Sequence, residues 1–183
     1  MSDTQHAASL RDTDADDGRS WWLLPHLHDG LGDRYLSFGE SVGMVERLHV
    51  RDALATRPDF ADAVRQGIRD LADLRSPWLA MMEIVEPGTS GSLDLMSEHC
   101  TMRLAEVQTD DAPTALAVLE QLLCAAAVLH AAGPDVAHGA IDATRVGLSA
   151  EGHIRLLEPA FGSAIAALAA GGESVWGAAA PIR

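Results

Sequence analysis

The sequence predicts an α+β domain, and three observations predict it. Short β-like pieces, punctuated by Gly, Pro and Asp, fill residues 22–50. One amphipathic helical pattern covers 59–75. A second, almost wholly apolar helical pattern covers 112–132 and leads into a short hairpin pattern. The order of sheet, helix, two strands, long helix and small hairpin suits segregated rather than alternating elements.

The elements follow in order. Residues 1–20 are polar and Asp-rich, too poor in apolar side chains to offset ordering entropy, so a disordered acidic tail is expected there. The run DTDADD within it lacks the Gly and terminal Glu of a calcium loop. WWLL, RYLSF and GMVERLHV then read as strands of a small antiparallel sheet, with Trp21 and Trp22 as packing residues. In 59–75, Phe60, Val64, Ile68, Leu71 and Leu74 form one apolar face. Asp59 supplies negative charge at the helix start, and Ser76-Pro77 ends the pattern. Residues 78–86 and 92–107 read as two further strands around Pro87–Gly91. In 112–132, Pro113 lies in the first turn and Gly133-Pro134 stops the helix; being apolar nearly all round, it is expected to be buried. Segments 145–149 and 153–157 flank Ala150-Glu151-Gly152 as a hairpin. The Ala- and Gly-rich stretch 160–180 predicts no defined element, and there is no internal repeat.

Composition narrows the function classes. The chain has 183 residues; its 48% hydrophobic and 22% charged residues are ordinary for a soluble globular domain, while its net charge of −14 makes it acidic. Without clustered basic residues it is a poor partner for nucleic acid or an anionic membrane. All 13 basic residues are Arg, so chemistry that needs a lysine amine is excluded. Cys100 and Cys124 are far apart and read as buried apolar thiols. No unbroken run of 18 apolar residues occurs, so no spanning helix is expected; the acidic N-terminus is unlike a signal peptide, leaving the cytoplasm as the expected compartment. His26, His28 and Asp29 match no standard ligand set, and no metal site is expected. Ser163 and Ser174 carry no feature that marks them as phosphate acceptors.

The most specific stretch is 129–162, LHAAGPDVAHGAIDATRVGLSAEGHIRLLEPAFG. It resembles the protein kinase pattern of a helix ending in Leu-His, a catalytic loop, a hairpin and DFG. Leu129-His130 end the helix, His138-Gly139-Ala140 stand where HRD would stand, Ile141 matches the loop leucine, and Glu158-Pro159-Ala160 falls at DFG. Upstream, 60–79 resembles helix αC and its following turn. Residues 27–36 resemble a glycine-rich loop with one residue deleted, its first glycine falling at His28, and Leu95–His99 falls at the hinge between lobes. The resemblance, to a eukaryotic-like Ser/Thr protein kinase domain, covers roughly 21–165. It implies an antiparallel-sheet N-lobe with one helix over 21–98 and a partial, mainly helical C-lobe over 99–183.

The resemblance also implies which positions would carry phosphoryl transfer. The strand lysine falls at Leu48, its αC glutamate partner at Gly67, the catalytic aspartate at Ala140, the magnesium-binding asparagine at Arg145 and the DFG aspartate at Glu158. Only Glu158 keeps a carboxylate among these. Asp142 is the one candidate for a substitute base, and His138 takes the structural role of its family position. The expectation is a catalytically inactive, pseudokinase-type module that binds a protein partner or itself and needs no cofactor. The alternative is an ATP-binding protein with residual Ser/Thr kinase activity, using Gly30, Gly32, Glu98 and Glu158. A third reading is an unrelated α+β binding domain.

Overall fold

The structure, a computed structural model, describes residues 11–12, 21–39, 43–85, 92–108, 111–133, 136–149, 151–170 and 180–181. Its first sheet holds β1 (Arg11–Asp12), β2 (Trp21–His28), β3 (Gly32–Gly39), β4 (Gly43–Val50), β5 (Met82–Val85) and β6 (Asp94–Glu98). These run in the order β1-β2-β3-β4-β6-β5, all antiparallel, and β10 (Ala180–Pro181) also pairs with β2. A second sheet, β7-β8-β9, is built from Met102–Arg103, Val146–Leu148 and Ile154–Leu156. The expected tail 1–20 lies outside the described residues except at Arg11 and Asp12, which pair with Trp22 and Trp21 where composition predicted no order.

Among the described residues there are four α-helices: α1 (Asp52–Ala55), α2 (Pro58–Leu71), α3 (Ala112–Ala132) and α4 (Gly162–Ala170). Helix α2 starts at Pro58 and buries Phe60, Ala61, Val64 and Leu71, the face its periodicity predicted. It ends at Leu71, not Arg75: the Ala72 and Leu74 amides bond to Arg69 and Leu71, three residues back, which tightens the chain out of the α-helix. Helix α3 has the predicted ends because both are fixed locally. The Asp111 side chain accepts the Thr114 amide, and Gly133 closes the helix.

Several expectations need correction. Residues 92–107 do not form one strand. β6 stops at Glu98, the chain crosses to the second sheet over His99–Thr101, and Leu104–Glu106 is a 3-10 turn. The crossing therefore lies later than the predicted Leu95–His99, because Leu95 is fully buried between β4 and β5. Nor is α3 a buried helix: among its described residues only Ala125 and Leu129 are buried, while Leu116, Leu119 and Leu123 are 64%, 50% and 62% exposed. By length and composition α3 also meets the requirement for crossing a membrane, which the unbroken-run criterion misses because Glu120 and Gln121 interrupt it. Its inner side is tied to the domain, with Gln121 accepting the Ile154 amide at 3.0 Å. Finally, 160–170 is not featureless: the 3-10 turn Pro159–Phe161 feeds α4, whose Ala164, Ile165 and Leu168 are buried.

The core joins both halves. Leu48, Val50 and Leu95 from the first sheet, Phe60 and Val64 from α2, Ile154 and Leu156 from the second sheet, and Phe161 belong to one apolar cluster. Phe60 and Phe161 pack with ring centroids 6.1 Å apart. Gly67 of α2 lies so close to the turn after β9 that a Cβ there would meet the Ala160 carbonyl oxygen at 2.3 Å. Gly162 is as constrained, since its Cβ would fall on the Ala137 carbonyl oxygen.

Candidate functional site

Where the two sheets face each other, the structure buries a set of charges. Asp29 follows β2, Arg34 lies on β3, Glu46 on β4, Arg103 on β7, Arg145 ends the 3-10 turn Ala143–Arg145, and Glu158 follows β9. Each is 5% exposed or less. Arg34 donates from Nε to Glu158 Oε1 at 2.8 Å, contacts the same carboxylate through Nη2, and lies 3.0 Å from Asp29 Oδ2. Arg145 donates to Asp29 Oδ2 at 2.5 Å and to Glu158 Oε2 at 3.3 Å, and also pairs with Asp142. Arg103 pairs with Glu46, whose other oxygen lies 3.9 Å from Arg34. Buried charges persist only when paired and hydrogen-bonded, and these pair across the two sheets. Burial opposes the Arg34 charge, but Glu158, Asp29 and Glu46 outweigh it and raise its pKa.

The loop between β2 and β3 closes on itself. Asp29 Oδ1 accepts the Leu31 and Gly32 amides at 2.8 and 3.2 Å, and the Asp29 amide donates to the Gly32 carbonyl at 3.1 Å. Backbone amides in such a loop can cradle an anion; here a side-chain carboxylate of the same loop takes them. Gly30 and Gly32 are thus part of the site's frame.

The 136–145 segment lies against the start of the post-β9 turn. His138 Nε2 bonds to the Leu157 carbonyl at 2.5 Å, and its Nδ1 accepts the Ala140 amide. Those partners assign the neutral tautomer with hydrogen on Nε2. Burial pushes the ring below its ordinary pKa, outweighing the Leu157 carbonyl and Glu158. Leu157 also donates to the Arg145 carbonyl at 2.9 Å. Ala140 brings only a methyl group. Both Asp142 oxygens are engaged, Oδ1 by Thr144 and Oδ2 by Arg145. Burial works to raise the Asp142 carboxyl, yet the Thr144 hydrogen bonds and Arg145 hold it below its ordinary range. Glu158 takes a left-handed backbone, φ 59° and ψ 41°, a conformation uncommon for any residue with a Cβ.

The structure brings Gly30, Gly32, His138, Ala140, Asp142, Arg145 and Glu158 to one place and leaves others outside it. Leu48 packs in the apolar cluster, and Glu46, two residues earlier on the same strand face, holds the charged position. Gly67 meets Ala160 instead of reaching the network. Glu98 is exposed and pairs with Arg155 of β9, away from the buried set. Sequence reasoning missed Asp29, Arg34, Glu46 and Arg103. The one available signal was a pair of opposite charges on neighbouring strands, Arg34 and Glu46, each alternating with apolar residues on one face. Among the described residues, no group of three or more His, Cys, Asp or Glu side chains is placed to hold a metal ion.

No protein-family model matches the chain, and no curated protein matches it. Solved structures do. The PknI kinase domain of Mycobacterium tuberculosis matches with TM-score 0.61 and 16% identity, over 77% of this chain and 58% of that domain. A point mutant of the same domain matches with TM-score 0.60 and 16% identity, over 77% of this chain and 60% of the mutant. The chain thus spans less than two thirds of the length of these neighbours. At such identity the likeness speaks to fold alone, and it agrees with the two facing sheets, α2 and the long helix described above: the chain has a protein-kinase-like fold.

Proposed function

We propose that this chain is a catalytically inactive kinase-like module that acts by presenting a folded surface to a protein partner or a second copy. The observation that carries the reading is the self-occupied site: Asp29 takes the Leu31 and Gly32 amides, and Arg145 sits among Asp29, Asp142 and Glu158. Phosphoryl transfer needs charged groups aimed at phosphate and metal, and a base for the acceptor hydroxyl. Here the methyl of Ala140 cannot accept a proton, and Asp142 is a weakened base with both oxygens bound.

The fold implies ATP and magnesium, and the residues present do not fit magnesium. Glu158, the one carboxylate at a ligand position, already faces the guanidinium groups of Arg34 and Arg145, and Arg145 itself stands where the asparagine ligand would. A divalent cation beside two buried guanidinium groups meets like charge at short range. The exposed Leu116, Leu119 and Leu123 of α3 support a protein-binding role, and the cytoplasm is the compartment this reading assigns.

Incubation of the purified protein with radiolabelled ATP and magnesium tests the proposal. No label above background is expected, in itself or in a basic substrate protein. Stoichiometric labelling that Asp142→Ala abolishes would overturn it.

A second reading rests on Arg34 Nη1 and Arg103 Nε, which are buried without a hydrogen-bond partner and give a nucleotide two donors to meet. A thermal-shift titration with ATP, with and without magnesium, separates the two. A ligand at one hundred times its Kd adds about 2.7 kcal/mol of stability, and no shift at millimolar nucleotide removes this second reading.

A further inference from the structure

We infer that Asp29 and Arg145 form a built-in ligand pair, one tethered anion and one tethered cation, that holds the two sheets together without any bound molecule. The inference deepens the non-catalytic reading above and rests on it. Three observations converge. First, the Asp29 carboxylate does an anion's work in its own loop, where Oδ1 collects two backbone amides. Second, the Arg145 guanidinium does a cation's work, since its nitrogens reach the carboxylates of Asp29, Asp142 and Glu158. Third, the pair meets directly: Arg145 Nη2 lies 2.5 Å from Asp29 Oδ2, joining residues 116 positions apart.

The arrangement is balanced. Arg34, Arg103 and Arg145 face the buried carboxylates of Asp29, Glu46 and Glu158, and Asp142 adds one more at the rim, its side chain 42% exposed. Arg34 acts as a second clasp, touching Asp29 and Glu158 at once. Each buried charge of the set already faces an opposite one, so an added free ion would compete with a tethered partner. Losing one member leaves its partners buried and uncompensated, which is strongly destabilising. Closure of the cleft is therefore a constant property of the fold and is not set by ligand concentration.

The test is a thermal-denaturation series on the wild type, Asp29→Ala, Arg145→Ala and the double variant. Each is measured in sodium chloride, in sodium acetate and in low-millimolar guanidinium chloride at matched ionic strength. The wild type should melt at one temperature in all three and should not respond to magnesium or phosphate. Each single variant should melt roughly 10 °C lower. Acetate should restore part of the loss only for Asp29→Ala, and guanidinium only for Arg145→Ala. The double variant should lose less than the sum of the two singles. Additive losses with no ion-specific recovery would overturn the pairing. If a single variant fails to fold, the wild type still decides: a magnesium- or phosphate-dependent rise in its melting temperature would overturn the inference, and its absence supports it. Failure here, with no label transferred from ATP, would leave the non-catalytic reading standing.

Discussion

The cleft and the outer face of α3 reverse the usual placement of polar and apolar groups. Between the sheets, Arg34, Arg103 and Arg145 are buried with Asp29, Glu46 and Glu158. On α3, Leu116, Leu119 and Leu123 face outward at helical spacing. In the first region each charge has a partner from another element, and only the Arg34 Nη1 and Arg103 Nε atoms of the set lack a hydrogen bond among the described residues. The second leaves these leucines half or more exposed, while α4 packs on α2. Buried charge that balances itself makes the cleft a structural joint. The exposed apolar surface of α3 is where the proposed partner would dock.

Breaking the joint should have the largest effect. Glu158→Ala removes the carboxylate shared by Arg34 and Arg145, and uncompensated buried charges cost about 3–5 kcal/mol. Urea denaturation reads the loss. Next comes the buried side of α3. Leu129 is 1% exposed in the core, and Leu129→Ala should cost about 2–5 kcal/mol by lost burial and cavity.

A smaller effect is set by pH. His138 has a folded pKa below its unfolded value, so between the two the unfolded chain binds more protons and stability falls as pH falls. The loss starts near the unfolded value of about 6.5 and is complete below the folded one. His138→Gln should flatten the stability profile between pH 7 and 5, measured by urea midpoints. The smallest effect belongs to the open side of α3: Leu123→Gln should change stability by no more than about 0.5 kcal/mol. That variant should nevertheless weaken any self-association seen by sedimentation, which would sharpen the contrast between the two regions.

Helices α2 and α3 were legible because local chemistry sets them, whereas α1 and α4 were not. Pro58, Asp111 and Gly133 act within a turn of their own positions, and the spacing of Phe60, Val64 and Leu71 names the buried face. The three strands β2, β3 and β4 were legible for the same reason. Strand direction was less so in 92–107, where a continuous apolar-rich run hides a crossing between sheets that only packing of Leu95 decides. The apolarity of α3 was read as burial, yet composition cannot say what lies beside a helix. The charges at the site were the least legible, since Arg34 and Glu158 meet across 124 positions. The lysine position was placed at Leu48 by counting. That residue shares a strand face with Glu46, so the count found the face and missed the charge.

The central claim is a cleft closed by its own ions. Calorimetric titration of magnesium–ATP into the purified protein, at millimolar nucleotide, tests it most directly. Heats indistinguishable from dilution are expected. A saturable, magnesium-dependent binding isotherm with one site per chain would contradict it.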